Sequence, residues 1–374
     1  MKNTFTAILL TASTLLTASC VREEALNSEC DIIAVELPDG ILNRSPIISN
    51  DKVTLVVKGG TDIAALAPKF ELTPGATIEP ESGTVRNFTT PQEYTVTSED
   101  RKWSKTYIVE VQSAYSVNLD YDFEHVRQVS TLGGAASYDV FYEVGTDGKE
   151  SMTWASANAA FALTMQGSTP NTFPTYQVED GKSGKCVALT TRSTGTFGAG
   201  MRKPLAAGNL FIGEFAMANA LAKPLEATHF GAPFMSKPLV LSGSYKYYPG
   251  EEYCAMNASG KLEPVPGEID KFNIYAVFFE VSADCEWLDG TNVLAEDNPN
   301  IIATAQIADA SAASDWTDFT IPFIYREGKT VDPEKLKEGA YSLTIVLTSS
   351  REGDYFAGAI GSTLMVDELV LSCE

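Results

Sequence analysis

The chain has 374 residues, 44% of them hydrophobic, which is too long for one small domain and enough for two with substantial cores. Its 49 acidic and 27 basic residues leave a formal charge of -22. Nucleic acid is therefore set aside as a partner, because phosphate binding needs a basic footprint.

Lys2, an apolar run at 7–10 and the tract Leu15-Leu-Thr-Ala-Ser-Cys20 have the layout of a bacterial secretory signal, too short to span a bilayer. Small residues directly before a cysteine resemble a lipobox, with Thr17 where that pattern usually has Leu. The resemblance implies that Cys20 opens the mature chain, acylated on sulfur and amine, each buried methylene anchoring with about 0.8 kcal/mol. Cleavage there would remove Lys2 and no acid, taking the charge from -22 to -23. Arg22-Glu-Glu24 resembles the acidic export tag of Bacteroidetes surface lipoproteins. It implies an outer-membrane, surface-exposed protein that meets the membrane through its lipid alone. Residues 21–30 read as a polar tether. Cys30, Cys186, Cys254, Cys285 and Cys373 are odd in number and contain no Cys-x-x-Cys pair, so neither a zinc site nor a disulfide framework is expected. They read mostly as small buried hydrophobes, with a Cys254–Cys285 bridge left open.

From 31 to 113 the pattern is all strand, with runs at 32–37, 53–58, 70–72, 93–97 and 106–112. Gly59-Gly60, Pro74-Gly75, Ser82-Gly83 and Thr90-Pro91 break the chain between them. This spacing predicts an immunoglobulin-like β-sandwich. Phe70-Glu-Leu-Thr-Pro-Gly-Ala-Thr-Ile-Glu-Pro-Glu-Ser-Gly-Thr84, with Tyr94-Thr-Val and Lys105-Thr-Tyr-Ile-Val-Glu-Val111, resembles the sandwich modules that open many Bacteroidetes surface lipoproteins. Those modules are usually spacers, and no chemistry is assigned to this one.

Residues 114–118 are the expected boundary. Strand patterns then recur at 185–191, 209–216, 239–247, 271–281, 301–308, 315–325, 341–348 and 363–372, without a sustained helical period. A helical turn is expected at 217–222, ended by Pro224. Strands with long connections from 119 to 374 predict an all-β antiparallel two-sheet jelly roll. In the run 271–281 both faces are apolar, Phe272, Ile274 and Phe278 against Tyr275, Val277 and Phe279, so something must cover each side.

Gly231-Ala-Pro-Phe-Met-Ser-Lys-Pro238, Gly243-Ser-Tyr-Lys-Tyr-Tyr-Pro-Gly250, Trp316-Thr-Asp-Phe-Thr-Ile-Pro-Phe-Ile-Tyr325 and the stretch 349–371 occur in this order. Together they resemble the PCMD family, the putative carbohydrate metabolism domain. The resemblance runs from about Leu119 to the C-terminus and implies a jelly-roll fold and a role with polysaccharide or oligosaccharide, beside surface glycan-uptake proteins. It carries over no catalytic residue. Carbohydrate-binding jelly rolls of similar appearance often tie the first strand to a closing Val-Asp strand through a cation. On that resemblance Asp120, Asp122, Glu124 and Asp367 are the candidate ligands for a structural calcium ion.

The residues themselves narrow the chemistry. Only His125 and His229 are present, and there is no Gly-x-Ser-x-Gly elbow or His-Glu-x-x-His helix, which argues against hydrolases built on histidine. Gly181-Lys-Ser183 imitates the end of a phosphate loop, but Tyr176 stands where its first glycine is needed. Glycoside hydrolysis needs only two carboxylates, about 5 to 5.5 Å or about 6.5 to 9.5 Å apart. Glu280 at the end of the most apolar strand, Asp354 beside Tyr355, and Asp367 or Glu368 in the last strand are candidates; alternation sends Asp367 and Glu368 to opposite faces, so they cannot pair with each other, and Glu280 with Asp354 is one pair to test. Sugar binding needs flat apolar surface and hydroxyl partners. Trp154, Tyr247, Trp287 and Tyr355 are the glycan-binding candidates, beside Tyr245 and Tyr248, while Trp316 and Phe319 read as packing. The loop 349–362, with three glycines and Asp354-Tyr-Phe356, is the first place to look for function. A non-catalytic glycan-binding surface lipoprotein is the leading expectation, a glycoside hydrolase the alternative, and a structural or adhesive surface subunit the third.

Overall fold

The computed structural model describes residues 26–374, apart from 39, 43–45, 49, 58–60, 114–118, 132, 146–147, 149 and 283. The signal segment, Cys20, Arg22-Glu-Glu24 and the boundary at 114–118 lie outside the described residues. Among the described residues no helix is long and apolar enough to cross a membrane.

Residues 32–113 form a sandwich. Ile32–Glu36 pairs antiparallel with Lys69–Leu72. Facing it is a five-stranded sheet in the order Ile47–Ile48, Lys52–Val57, Ser104–Ser113, Gln92–Thr97, Thr77–Glu79. Alternation delivers one face of each strand to a shared core: Ile32, Val35 and Phe70 meet Val53, Leu55, Tyr94, Val96, Tyr107 and Val109.

Two larger sheets make the jelly roll. The first runs Thr175–Val178, Cys186–Thr190, Thr363–Cys373, Pro238–Tyr248, Ala313–Pro322, with Asp120–Tyr121 added to Thr363–Cys373. The second runs Asn209–Phe211, Tyr341–Thr348, Asn273–Glu280, Ile301–Gln306, Ile324–Tyr325, with Ala232–Pro233 added to Tyr341–Thr348. All their pairings are antiparallel. Between them Leu189, Leu241, Leu364 and Val366 of the first sheet meet Ile274, Phe278, Leu343 and Ile345 of the second.

The strands expected from the pattern are present close to their expected bounds. Several were not anticipated, among them Val126–Ser130, Ser137–Val144, Glu150–Thr153, Thr175–Val178 and Tyr253–Met256. In Ser137–Val144 the buried positions hold Asp139, Phe141 and Glu143, so two acids sit where alternation leads one to expect apolar residues. Residues 217–222 form a hydrogen-bonded turn, the Lys223 amide donating to the Asn219 carbonyl at 2.8 Å, that does not extend into a helix. Pro224 opens a 3-10 helix, Pro224–Ala227, because its fixed φ and missing N–H suit a first helical position. All five described cysteines are free, so no Cys254–Cys285 bridge forms; only Cys186 is buried, the others half-buried.

Candidate functional site

The doubly apolar strand organises the site. In Asn273–Glu280 the residues Ile274, Ala276 and Phe278 enter the core between the sheets. Tyr275, Val277 and Phe279 point the other way and are covered by Phe230, Leu288 and Val293, with Ile301 of the neighbouring strand beside them. That cover seals the Phe279 end of the strand. At the Asn273 end it parts, leaving a cavity of about 630 Å³.

Strand register makes the cavity floor two rows across the second sheet. Phe211, Val346, Tyr275 and Gln306 are paired in sequence across four strands. Beside them Asn209, Thr348 and Asn273 form a polar row. All seven line the cavity. Gln306 Nε2 donates to Asn273 Oδ1 at 3.3 Å, and Asn209 Oδ1 accepts the Ala157 amide at 2.9 Å. Helices Asn158–Ala162 and Gly195–Gly200, the turn at 217–222 and the stretch 290–295 supply the walls, with the loop 349–362 at one side.

That loop is fixed by Asp270, which is 2% exposed. Its Oδ2 accepts from Ser350 Oγ at 2.6 Å, Ser362 Oγ at 2.7 Å and the Ala359 amide at 2.7 Å, while Oδ1 accepts from the Lys271 amide at 2.9 Å. Burial nevertheless holds this carboxyl above its usual range. Thr191 Oγ1 bonds both Ser349 and Ser350, and Tyr247 Oη donates to the Ser349 carbonyl at 3.2 Å. Glycine is required at two points: Gly361 has φ +95°, and a Cβ on Gly353 would stand 2.4 Å from that of Ala207. Phe356 takes a left-handed φ of 58° and faces the cavity.

Asp354 lies just inside the mouth. Water reaches it, yet protein surrounds it on most sides, and desolvation is the main reason its carboxyl is raised to about 6, with the Glu352 charge adding to the effect. The amides of Asp354 and Tyr355 pull the other way. A carboxyl raised from 3.8 to about 6 on folding binds its proton more tightly in the native state, so its ionisation lowers stability as pH rises through that interval. Asp354→Asn is therefore expected to be more stable than the parent at pH 7.5. The gain is about 1 kcal/mol once solvent screening is allowed for, and it vanishes near pH 4. Thermal unfolding at the two pH values checks this; an equal difference at both would count against it.

The structure separates several residues that the sequence brought together. Glu280 is seven residues along its strand from Asn273, about 23 Å at 3.3 Å per residue, and its carboxylate is paired with Lys335. It does not line the cavity that holds Asp354. Trp154 is 2% exposed, wedged against Tyr121 and Phe123, with Nε1 donating to Glu143 at 2.7 Å. Tyr247 is 1% exposed and packs on Phe272 with Tyr245. Neither Trp154 nor Tyr247 offers a face to sugar. Trp287 is half-buried, stacked on His229 at 4.2 Å and away from the cavity lining. Only Tyr355, 59% exposed and on the lining, keeps its expected place. Phe319 packs in the core as expected, but Trp316 lies on the opposite face of its strand under Lys246, whose Nζ is 5.0 Å from the ring.

The four carboxylates considered for calcium do not converge. Asp367 Oδ2 accepts the amides of Lys182 and Ser183 at 2.7 and 3.0 Å, and Glu124 Oε1 accepts that of Lys185 at 2.7 Å. Asp122 Oδ1 accepts the Glu124 amide at 3.1 Å and Asp120 is exposed. Backbone amides of the 181–185 turn thus tie the first and closing strands. Among the described residues no group of three or more His, Cys, Asp or Glu is placed to hold a metal ion. Asp270, Asn273, Tyr275, Gln306 and Thr348 were missed; the one sequence signal near them was the doubly apolar strand.

The chain is thus a two-sheet jelly-roll β-sandwich with a walled cavity on the outer face of one sheet. Residues 122–372 match the family described as the Putative carbohydrate metabolism domain, and the chain belongs to that family. Residues 32–111 match the family SGBP, N-terminal. A crystal structure of a putative glycoside hydrolase from Bacteroides thetaiotaomicron is 47% identical, with a TM-score of 0.80, over 94% of this chain and 99% of that one. Another, of a putative glycoside hydrolase from Bacteroides vulgatus, is 41% identical with a TM-score of 0.64 over 70% of this chain and 100% of its own. No curated protein matches the chain.

Proposed function

We propose that this protein binds a polysaccharide or oligosaccharide, without cleaving it, in the cavity on the outer face of the second sheet. The family membership supports the carbohydrate. The observation that carries binding over catalysis is the placing of the acids: among the described residues the only carboxylates on the lining are Glu352 and Asp354, two residues apart on one short turn. Glycosidases set their two carboxylates on either side of the scissile bond. The polar row Asn209, Thr348, Asn273 offers amide and hydroxyl partners for sugar hydroxyls, with Tyr355 as a ring surface. The sequence context of Cys20 and Arg22-Glu-Glu24 supports an acyl-anchored, outer-membrane protein at the cell surface, working beside glycan-uptake proteins.

Affinity electrophoresis against a broad polysaccharide panel is expected to retard the wild-type protein with at least one glycan, and Asn273→Ala with Tyr355→Ala to abolish that retardation. No retardation by any glycan would overturn the reading. Hydrolysis is the second reading, favoured by the raised carboxyl of Asp354, which suits a general acid, and by the relatives described as putative glycoside hydrolases. Release of reducing ends by the wild type, abolished in Asp354→Asn, would decide for it.

A further inference from the structure

The cavity is more apolar than a site for a bare sugar needs. Phe161, Leu205, Phe215, Leu225 and Phe230 line its interior. Around its mouth Leu163, Phe197, Met201, Leu221 and Tyr355 each leave two-fifths or more of their surface exposed. They come from four separate stretches of chain, at 163, 197–201, 221 and 355. Single exposed hydrophobics are ordinary, but several converging on one opening mark a surface that meets something apolar. Sugars stack on flat aromatic faces, and Leu163, Met201 and Leu221 present none. A sugar hydroxyl buried against such side chains without a partner loses its hydration uncompensated. The floor row Asn209, Thr348, Asn273 and the carboxyl of Asp354 group several hydrogen-bonding partners, while Thr164, Thr194, Lys203, Thr228, Thr291 and Asn292 are scattered along the walls. The mouth is thus dominated by apolar side chains, with polar groups interspersed among them.

We propose that the occupant is a glycan carrying an apolar substituent, an aryl aglycone or an acyl ester. Its sugar lies along the Asn209–Asn273 band and its substituent against the Phe197, Met201 and Leu221 wall. This rests on the glycan-binding reading and narrows it. The substituent gains about 25 cal/mol for each Å² of apolar surface it removes from water, whereas an unsubstituted hydroxyl at the same place loses its hydration.

The test is isothermal titration of the full chain with matched pairs: phenyl against methyl glycosides of the common hexoses and pentoses, and acetylated against deacetylated xylo- and manno-oligosaccharides. At least one pair is expected to favour the substituted member by about tenfold or more. The two kinds of pair distinguish aryl from acyl. Phe197→Ser with Leu221→Ser, both exposed positions whose loss should leave the melting temperature near that of the parent, is expected to erase the preference while keeping the affinity for the unsubstituted member. Equal affinity within every pair would overturn this inference and leave glycan binding intact. Binding of phenol or acetate esters without sugar as tightly as of the glycosides would also overturn it. No binding by any sugar would overturn both readings.

Discussion

Replacing Asp270 with alanine is expected to destabilise the protein by about 4 kcal/mol and to abolish glycan retention together. One oxygen of this buried side chain accepts three hydrogen bonds, from Ser350, Ser362 and the Ala359 amide. Removing it strands those donors, at about 1 to 3 kcal/mol for each that finds no substitute. The two hydroxyls can rotate, Ser350 towards Thr191, but the Ala359 amide cannot, so the total falls below three full penalties. The bonds hold together the loop 349–362, whose Glu352, Asp354 and Tyr355 line the cavity, so their loss is expected to displace these three from it. Asp270→Asn keeps an acceptor oxygen and should lose about half as much. Urea unfolding of the two variants measures the difference. A loss of under about 1 kcal/mol in the alanine variant would show that the loop is held by something else.

Trp154→Ala is expected to cost about 4 kcal/mol, the range for removing a large buried aromatic, with ligand affinity unchanged in the fraction that folds. Trp154→Phe separates packing from hydrogen bonding. Burial raises the Glu143 carboxyl to about 7, and the Trp154 N–H is what opposes that rise. Without it the carboxylate costs more above pH 7, while at pH 5 Glu143 is protonated either way. The phenylalanine variant should therefore lose about 2 to 3 kcal/mol at pH 8 and about 1 at pH 5. A loss of ligand affinity with unchanged stability would return Trp154 to the binding surface, where the sequence placed it.

The contrast between Trp154 and Tyr355 shows what could be read in advance. Strand existence and the two-sandwich plan follow from alternation, which is a local property, so runs such as 341–348 and 363–372 declare themselves. Which aromatic is exposed depends on what a connection lies against, and the polar, glycine-containing surroundings of Trp154 give no sign of the core formed by Tyr121 and Phe123. The loop 349–362 was recognisable because crowding against Ala207 demands glycine at 353 and a positive φ favours it at 361. Its anchor Asp270 was not, because the chain between them is some eighty residues long and one acid among many carries no label. Glu280 and Asp354 were paired from their local settings, one ending an apolar strand and one beside Tyr355, which say nothing of their separation; Glu280 ends its strand away from the cavity that Asp354 lines. Tyr275 came nearest to being found: two apolar faces on one strand required two covers, and the place where the second cover stops is the cavity.

The floor of that cavity is strand and its walls are connections, and the two answer to different constraints. Every floor residue has its back to the core, so Asn273 cannot shift along its strand without moving Ile274 and Phe278 as well. The walls at 195–203, 217–225 and 290–295 join fixed ends and tolerate insertion or replacement. A sandwich of this plan can therefore change its ligand without altering the sheet, much as one lathe bed takes many tool heads. Grafting the three wall segments between family members, over an untouched floor, is the most direct way to move specificity from one chain to another.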